Sequence, residues 1–257
     1  MLAEIPPSER DAVRPLFDGF PGLRGLLDAA LDGTMGRLWA DDPSRPAFAM
    51  VQLDFFLFAG DPSAPGADEA ARMVDQDGSI VASSPSWEPL LRSVWDERLH
   101  LYTRVEFDSP DAWDRARLRA FLDALPDGLE VRRITIADAP RFAELADSLV
   151  YNFASLEDFI ERGAGFGIEQ DGRFVSGCAS FAISSRSLEF EIQTHEDFRR
   201  RGLACATAAA MIEHCIVSGL EPSWDAHNDM SAALATKLGF VNPQPYTAYE
   251  LRPRLGH

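Results

Sequence analysis

Apolar and polar positions in the second half of the chain switch repeatedly between the period of strands and the period of helices. The clearest break before this half is Pro126-Asp127-Gly128. Asp171-Gly172, between two apolar runs, predicts a tight hairpin turn. The pattern after the break predicts, in order, a strand at 129–136, helices at 138–149 and from 155 onward, strands at 165–169, 174–183 and 188–194, a helix at 202–217, a strand at 222–225, a helix at 231–238 and a strand at 246–251.

The first half has a similar alternation of elements. Residues 48–58 are largely apolar and favour one long strand. Helices followed by a strand pair occur in both halves, which suggests an internal duplication. We therefore expect an α/β (α+β) fold with domains at 1–126 and 127–257. The first half is predicted to contain helices at 10–17 and 23–31, strands at 36–40 and 48–58, helices at 68–75 and 87–95, a strand at 99–107 and a helix at 112–122.

Charge narrows the range of partners. The 257 residues include 24 basic and 41 acidic side chains, for a formal net charge of −17. Such a chain repels nucleic acid and anionic membranes unless it segregates a basic face, and the basic clusters are short. We expect neither partner. An acidic field suits a cationic substrate such as an amine, although it also serves solubility alone.

The cysteines favour a reducing compartment. Cys178, Cys205 and Cys215 are odd in number and lack CxxC or ligand spacing, so we expect a cytoplasmic protein without a metal. The short, acidic, proline-broken start does not resemble a signal peptide, and the apolar run at 55–59 is too short to span a bilayer.

Three consecutive arginines precede a predicted helix start and indicate an anion site. Arg199, Arg200 and Arg201 follow the strand that ends near Thr194, and Gly202 opens an alanine-rich helix. Unpaired backbone N–H groups and the helix dipole attract anions at such a start, and glycine lets phosphate approach closely. The alternative is a solvated basic turn. A nucleotide-binding protein of another fold is also conceivable, but no GxxxxGK[ST] sequence accompanies the turn.

Two motifs in order give the turn a more specific interpretation. The first is Arg199-x-x-Gly202-x-Ala204, and the second consists of Asn228-x-x-Ser231 and Leu238-Gly239-Phe240. Over about residues 129–251 the sequence resembles the GNAT superfamily of N-acetyltransferases. The resemblance implies a mixed, mostly antiparallel sheet flanked by helices, with acetyl-CoA as co-substrate.

A finer resemblance concerns the first half. The stretches 38–43 and 221–226 are similar to the zwittermicin-resistance-type subgroup, whose members carry a degenerate GNAT-like N-terminal half. The first half has no Arg/Gln-x-x-Gly-x-Gly/Ala turn at the equivalent place, so no cofactor is expected there.

The resemblance also implies which residues hold the cofactor. The strand 191–194 is expected to splay from its neighbour near 222–224, so that its backbone pairs with the pantetheine arm. An N–H of Ile192 or Gln193 would meet the thioester oxyanion. The implied cofactor-binding residues are Ile192, Gln193, Thr194, Arg199, Arg200, Arg201, Gly202, Leu203, Ala204, Asn228 and Ser231.

Carboxylates on the same strand are the candidate bases. Glu189 and Glu191 share one strand face, and Glu191 is preferred because it lies nearer the splay. The alternative is that both carboxylates simply face solvent at the edge of the strand. His195 ranks lower. Asp225 and Trp224 are candidates for binding a cationic substrate, although Asp225 is also suited to capping a turn.

The acid is less clear. Many GNAT enzymes carry a tyrosine on the last helix, but the matching residue here is Ala235. Tyr249, Tyr246 or another group would then protonate the thiolate, or the thiolate leaves unaided. The leading hypothesis is direct acetyl transfer to a small-molecule amine by a monomer or homodimer. The alternative is a catalytically inactive acyl-CoA-binding or sensing module.

Overall fold

The computed structural model describes residues 2–75 and 77–252, and these residues form two compact units. The first unit comprises the chain up to Glu106 together with the chain from Gln244 onward, and the second unit is Phe107–Pro243. The boundary predicted after Pro126 lies inside the second unit. Its helix at 115–123 packs against the long helix at 203–218 of the same unit.

The first unit is built on a mixed sheet with strand order β1-β2-β3-β4-β5-β12-β6. The β1–β2, β2–β3, β3–β4 and β5–β12 pairs are antiparallel, and the β4–β5 pair is parallel. Its strands are β1 Ala3–Glu4, β2 Arg37–Ala40, β3 Phe48–Leu53, β4 Phe55–Gly60, β5 Ser79–Ala82, β6 Leu99–Asp108 and β12 Val241–Leu251. Its helices are α1 Arg24–Leu31, α2 Ala67–Arg72 and α3 Glu88–Trp95, with 3-10 helices at Pro7–Ala12, Arg14–Phe17, Pro85–Trp87 and Asp96–Arg98.

Two first-half predictions are wrong. Residues 48–58 form two antiparallel strands, β3 and β4, because Asp54 takes a left-handed conformation (φ 57°) and reverses the chain. The helix predicted at 10–17 is instead two 3-10 helices, with Pro15 within the second. Proline lacks the N–H that a continuous helix needs there. The strand β5 was not predicted.

Aromatic side chains dominate the core of the first unit. Trp87 is fully buried, packs against Phe58 with ring centroids 5.0 Å apart, and donates its indole N–H to Gly60 O at 3.1 Å. Tyr249 and Leu251 of β12 belong to the same core. The last strand of the chain therefore completes a core whose other members precede residue 100.

The second unit contains a sheet with strand order β11-β10-β9-β8-β7. The β10–β11 pair is parallel, and the β7–β8, β8–β9 and β9–β10 pairs are antiparallel. The strands are β7 Val131–Arg133, β8 Gly165–Gln170, β9 Arg173–Ile183, β10 Ser187–Thr194 and β11 Glu221–Ala226. The helices are α4 Arg115–Asp123, α5 Ala139–Ala143, α6 Leu156–Arg162, α7 Leu203–Ser218 and α8 Asp229–Leu238, with 3-10 helices at Asp147–Leu149 and Glu196–Phe198.

Local signals fix most of these elements. Asp171 and Gly172 have φ of 52° and 79° and make the predicted hairpin turn between β8 and β9. Ser155 caps α6 by accepting the Asp158 N–H, as the capping pattern predicts. The strand predicted at 129–136 is shorter, because only 131–133 pair with β8. The helix predicted at 138–149 is also shorter, with α5 ending at Ala143.

An ion-pair network joins β7, α5 and β8. Arg132 contacts Asp138 at 2.6 Å and Glu169 at 2.5 Å, and Arg141 contacts the same two carboxylates at 3.3 and 2.7 Å. Both guanidinium groups lie over the ring of Phe174. The Arg132 hydrogen bond holds the pKa of Asp138 well below its ordinary value, despite the opposing effect of burial.

In the part of the chain that the structure describes, no helix combines the length and the apolar character needed to cross a membrane.

Candidate active site

Two parallel strands of the second unit separate part of the way along their length. In the described residues, β10 and β11 are paired from Ser187–Glu221 to Glu189–Ser223. β10 then continues to Thr194, still paired with β9 on its other side, while β11 continues to Ala226. This opening, which we call the splay, begins after Glu189 and matches the place expected from the sequence.

The β9–β10 ladder determines which backbone groups of β10 face the splay. The His195 N–H donates to Val175 O at 2.9 Å, so this pair is hydrogen-bonded. Antiparallel pairs alternate, and hence Gln193 also bonds toward β9, whereas Ile192 and Thr194 direct their backbone groups to the other side. Of the two amides considered from the sequence for the oxyanion, the geometry favours Ile192.

The loop after β10 brings three arginines to the start of α7. Arg199 donates to Thr194 O at 3.3 Å. Arg201 donates to Asp197 O at 3.1 Å and lies over the Phe198 ring, with 5.0 Å between its guanidinium carbon and the ring centroid. Arg200 has a φ of 61°, which lies in the left-handed region of backbone conformation. All three arginines are exposed.

The first turn of α7 presents unpaired amides. Gly202 has a φ of 81° and is the N-cap, and the first intrahelical bond runs from Ala206 N–H to Gly202 O at 3.1 Å. The N–H groups of Leu203 and Ala204 precede that bond and have no helical partner. A Cβ at Gly202 would meet no atom within 4 Å, so the space in front of it is open. The sixteen-residue helix adds its dipole to this site.

Glu189 is held by the strand across from it. Its side chain is buried, with the residue 3% exposed. Oε2 accepts the Ser223 hydroxyl at 2.6 Å, and Oε1 accepts the Asp225 N–H at 3.0 Å. The carboxylate therefore takes the place of a backbone partner for β11 just beyond the last ladder pair. This position favours a role in shaping the splay over the role of base.

Glu191 lies one step further into the splay and is half-buried. Its Oε1 accepts the Ser148 hydroxyl at 2.9 Å and the Gln193 side-chain amide at 2.9 Å. The bond to Gln193 fits the alternation that puts positions 189, 191 and 193 on one face. Sequence reasoning missed Ser148 and Ser223, because neither lies in a motif and each is more than thirty residues from its carboxylate.

Asn228 and Ser231 of the second motif make hydrogen bonds that stabilise the start of α8. Asn228 is the N-cap and accepts the Ser231 N–H at 3.0 Å. The Ser231 hydroxyl accepts the Trp224 indole N–H at 3.2 Å. Trp224 is 4% exposed and packs against Phe190 and Phe240, so its ring is a core element and its position does not favour substrate binding. The exposed Asn228 amide nitrogen lies outside these bonds.

The remaining polar candidates differ in setting. Asp225 is half-buried on β11, with its N–H bonded to Glu189. His195 accepts the Asp197 N–H at 3.4 Å and lies 3.6 Å from the Asp197 carboxylate, an arrangement that belongs to the loop.

The tyrosine candidates for the acid belong to the first unit. Tyr249 is 4% exposed in its core, and its hydroxyl donates to Glu88 at 3.5 Å. Burial raises the pKa of Tyr249. This setting does not favour an acid role. On α8, the methyl group of Ala235 is fully buried, so that position supplies no acid.

The described residues include no group of three or more potential metal ligands. The three cysteines are buried and free. Burial raises the pKa of the Cys215 thiol to about 12, and it also raises that of Cys178. Both thiols are therefore protonated at neutral pH and pack in the interior.

Comparisons with known proteins cover nearly the whole chain. A family model described as GNAT acetyltransferase matches residues 14–249. The uncharacterized N-acetyltransferase YdfB of Bacillus subtilis (strain 168) is 27% identical over 263 residues, covering 97% of this chain and 98% of the relative. The crystal structure of a GCN5-related N-acetyltransferase-like protein from Streptococcus suis 89/1591 is 31% identical, with a TM-score of 0.85 and coverage of 95% of this chain and 99% of that one.

A more distant likeness concerns the fold alone. A tandem GNAT protein from the clavulanic acid biosynthesis pathway is 12% identical and has a TM-score of 0.54, with 97% of each chain covered.

Proposed function

The chain belongs to the GNAT acetyltransferase family and has its fold, a mixed sheet flanked by helices; from this we propose that it transfers the acetyl group of acetyl-CoA to the amine of a small molecule. The fold and the enzyme class confirm the prediction from the sequence, whereas the identities of the acyl donor and the acceptor are proposals.

The splay leading to the open start of α7 is the observation that carries the proposal. The backbone groups of Ile192 and Thr194 face away from β9. Those of Ile192 and the Thr194 N–H are suited to pair with an extended amide chain such as pantetheine, whereas the Thr194 carbonyl accepts from Arg199. The amides around Gly202 suit a diphosphate, and Arg199–Arg201 counter the repulsion of an acidic chain. A coenzyme with both features, an amide-bearing arm and a diphosphate, matches this succession of groups.

Three residues of β10 then have distinct tasks in the transfer. Acetyl-CoA supplies an activated acyl carbon on a thiolate leaving group. The Ile192 N–H stabilises charge that develops on the carbonyl oxygen. Glu191, oriented by Ser148 and Gln193, accepts the proton that the attacking amine loses. Glu189 keeps β11 at its distance from β10.

Two measurements test the proposal. Calorimetry should show one acetyl-CoA bound per chain, and thiol release should rise when amines from a varied panel are added. Absence of acetyl-CoA binding would remove the donor, and hydrolysis without any response to amines would remove the acceptor class.

Ala235 supports a second candidate, a catalytically inactive acyl-CoA-binding or sensing module. Its fully buried methyl group replaces the tyrosine that acts as acid in many family members. Acetyl-CoA binding without thiol release across the amine panel is the outcome that this candidate predicts.

The setting of the reaction is part of the same proposal. The net charge of −17 favours a cationic acceptor over an anionic one. We further propose membership of the zwittermicin-resistance-type subgroup, a degenerate GNAT-like origin for the N-terminal half, a cytoplasmic location, and a monomer or homodimer that binds neither nucleic acid nor membrane.

A further inference from the structure

A cavity of about 610 Å³ lies within the first unit, and its lining includes none of the residues of the splay or of the start of α7. Its walls are the loop 18–22, one side of α1, the 3-10 helix Arg14–Phe17, Glu106, and residues 244–246 of β12. This volume falls in the range of cavities that hold small organic ligands.

The apolar part of the wall combines aromatic rings with the aliphatic side chains of Leu27 and Leu31. Phe17 is 5% exposed, and its ring lies 5.5 Å from that of Phe20 between centroids. The ring of Tyr246 lies directly against Gly22, which has a φ of 75° and where any Cβ would overlap the ring. The glycine therefore allows a third aromatic ring to line the same cavity.

Carboxylates determine the charge of the wall. Arg14 is engaged by Asp11 at 3.0 Å and Asp32 at 2.9 Å, two residues outside the lining. The Asp18 side chain lines the cavity, is exposed, and makes no hydrogen bond or ion pair with the described part of the chain.

The second arginine of the wall is also matched by a carboxylate. The Arg24 guanidinium contacts Glu106 at 3.4 Å, and the Arg24 N–H donates to the same carboxylate at 3.2 Å. Asp28 of α1 adds a further carboxylate to the lining. The lining therefore carries three carboxylates, those of Asp18, Asp28 and Glu106, against the two guanidinium groups, and its net charge is negative.

We propose that this cavity binds an organic ammonium cation with an apolar or aromatic body. Aromatic faces attract cations through their quadrupole, and the exposed Asp18 carboxylate in a lining of net negative charge complements the positive charge. An anionic ligand of the same size would meet the same carboxylates as repulsion. The ligand is either an amine acceptor or an effector that is not acetylated, and both share this chemistry.

Benzyltrimethylammonium is the probe, because it carries the charge and a ring but no N–H that can be acetylated. Ligand-observed NMR titration of the full chain, without acetyl-CoA, should show saturable millimolar binding at one site. Phenylacetate, an anion of similar size, should bind at least tenfold more weakly. Asp18→Asn and Phe20→Leu should each weaken the cation by about threefold, as expected for one exposed ion pair and one cation–π contact.

Asp68→Asn, at an exposed carboxylate of the same unit outside the cavity, is the matched control and should leave the affinity unchanged. Thermal melting confirms that each variant is folded. Equal binding of phenylacetate, no saturable binding of the cation, or an affinity insensitive to both cavity substitutions would overturn the proposal.

A second arm separates the two ligand sources. Benzyltrimethylammonium is added to the thiol-release assay with any amine that stimulates release. Competition with the amine assigns the cavity to the acceptor, whereas binding without competition assigns it to an effector. Because the NMR titration needs neither acetyl-CoA nor turnover, its failure would leave the acetyl-transfer proposal standing, and loss of turnover would leave the cation site standing.

Discussion

Glu189 and Glu191 are two residues apart on β10, yet their surroundings give them different tasks. Glu189 is 3% exposed and bonded to β11 through both oxygens, so its carboxylate belongs to the structure of the splay. Glu191 is half-buried and is oriented by the Ser148 hydroxyl and the Gln193 side-chain amide. A buried acceptor with fixed donors resists change, because losing a donor exposes its desolvation cost.

Replacement of Glu191 by Gln tests its role as the base. The amide cannot accept the proton of the attacking amine, so thiol release should slow by about 100-fold, the lower range of general-base effects. Acetyl-CoA affinity, measured by calorimetry, should stay within about twofold, because the Glu191 side chain is not among the proposed cofactor contacts. Glu161→Gln, an exposed carboxylate of α6, serves as the control. An unchanged rate in E191Q would remove Glu191 from the mechanism.

At the scale of elements, α7 shows how far local sequence can go. Its alanine-rich run lies between Gly202 and Gly219, and both glycines adopt positive φ at the two ends of the helix, as the pattern predicts. The anion-binding character of its start was also readable, because unpaired amides exist at every helix start. The three arginines before the helix could also be read directly from the sequence.

Gly202→Glu tests this helix start. The substitution sets a negative charge in the open space before the first amides, and we expect acetyl-CoA affinity to fall by more than about tenfold through repulsion. Gly202→Ala is the matched control, because it brings the same left-handed strain without the charge, and it should weaken binding by only a few fold. Calorimetry measures both variants. Equal affinities for the two would show that charge at this position does not matter.

Long-range partners are where prediction from sequence failed. Asp54 occupies one polar position within an apolar run and was absorbed into a single strand, although its φ of 57° reverses the chain. Ser223 and Ser148 meet their carboxylates only because the sheet brings distant segments together. Hydrophobic period reports which face is buried, but it carries no information about which buried neighbour a polar atom finds.

The network of β7, α5 and β8 makes the stability of the second unit pH-dependent. The pKa of Asp138 is lowered in the folded chain by its hydrogen bond to Arg132. A lowered pKa stabilises the fold fully above the ordinary value of 3.8, and this contribution is lost as the pH falls toward the folded value. The pKa of Glu169 is lowered from 4.5 by Arg132 and then Arg141, in the same direction.

Asp138→Asn should therefore lower the free energy of unfolding by about 2 kcal/mol at pH 7, the cost of breaking a partly buried charged hydrogen bond. The difference from the parent chain should shrink below about pH 4, where the parent loses the same interaction. Urea unfolding at several pH values measures both effects. Asp123→Asn, in an exposed pair with Arg119, should change stability by less than about 0.5 kcal/mol. A constant difference across the pH range would contradict the assignment.

On the scale of the whole molecule, the first unit is discontinuous in sequence. The chain leaves it within β6 after Glu106 and returns within β12 at Gln244. Tyr249 pairs with Ile80 of β5, and Leu251 donates its N–H to Gly78 O at 3.0 Å. Residues from the end of the sequence thus complete the sheet and core of a unit that begins near its start.

A chain that stops after Pro243 tests this arrangement. We expect the truncated protein to lose the tertiary structure of the first unit, because β5 loses one of its two neighbouring strands and the core loses two buried side chains. Near-ultraviolet circular dichroism and proteolysis should report unfolding of residues before 107, while residues 107–243 stay protected. Protection of the early residues equal to that of the full chain would refute the prediction.

The return of the chain at Gln244 also sets an order of events during translation. A ribosome delivers every residue of the second unit before it releases the strand that the first unit still lacks. The earliest-made part of the protein must therefore wait with an open strand edge, the kind of surface that invites aggregation or chaperone capture. Slow translation of the codons for residues 244–251 would lengthen that exposure, although it leaves the finished sequence unchanged.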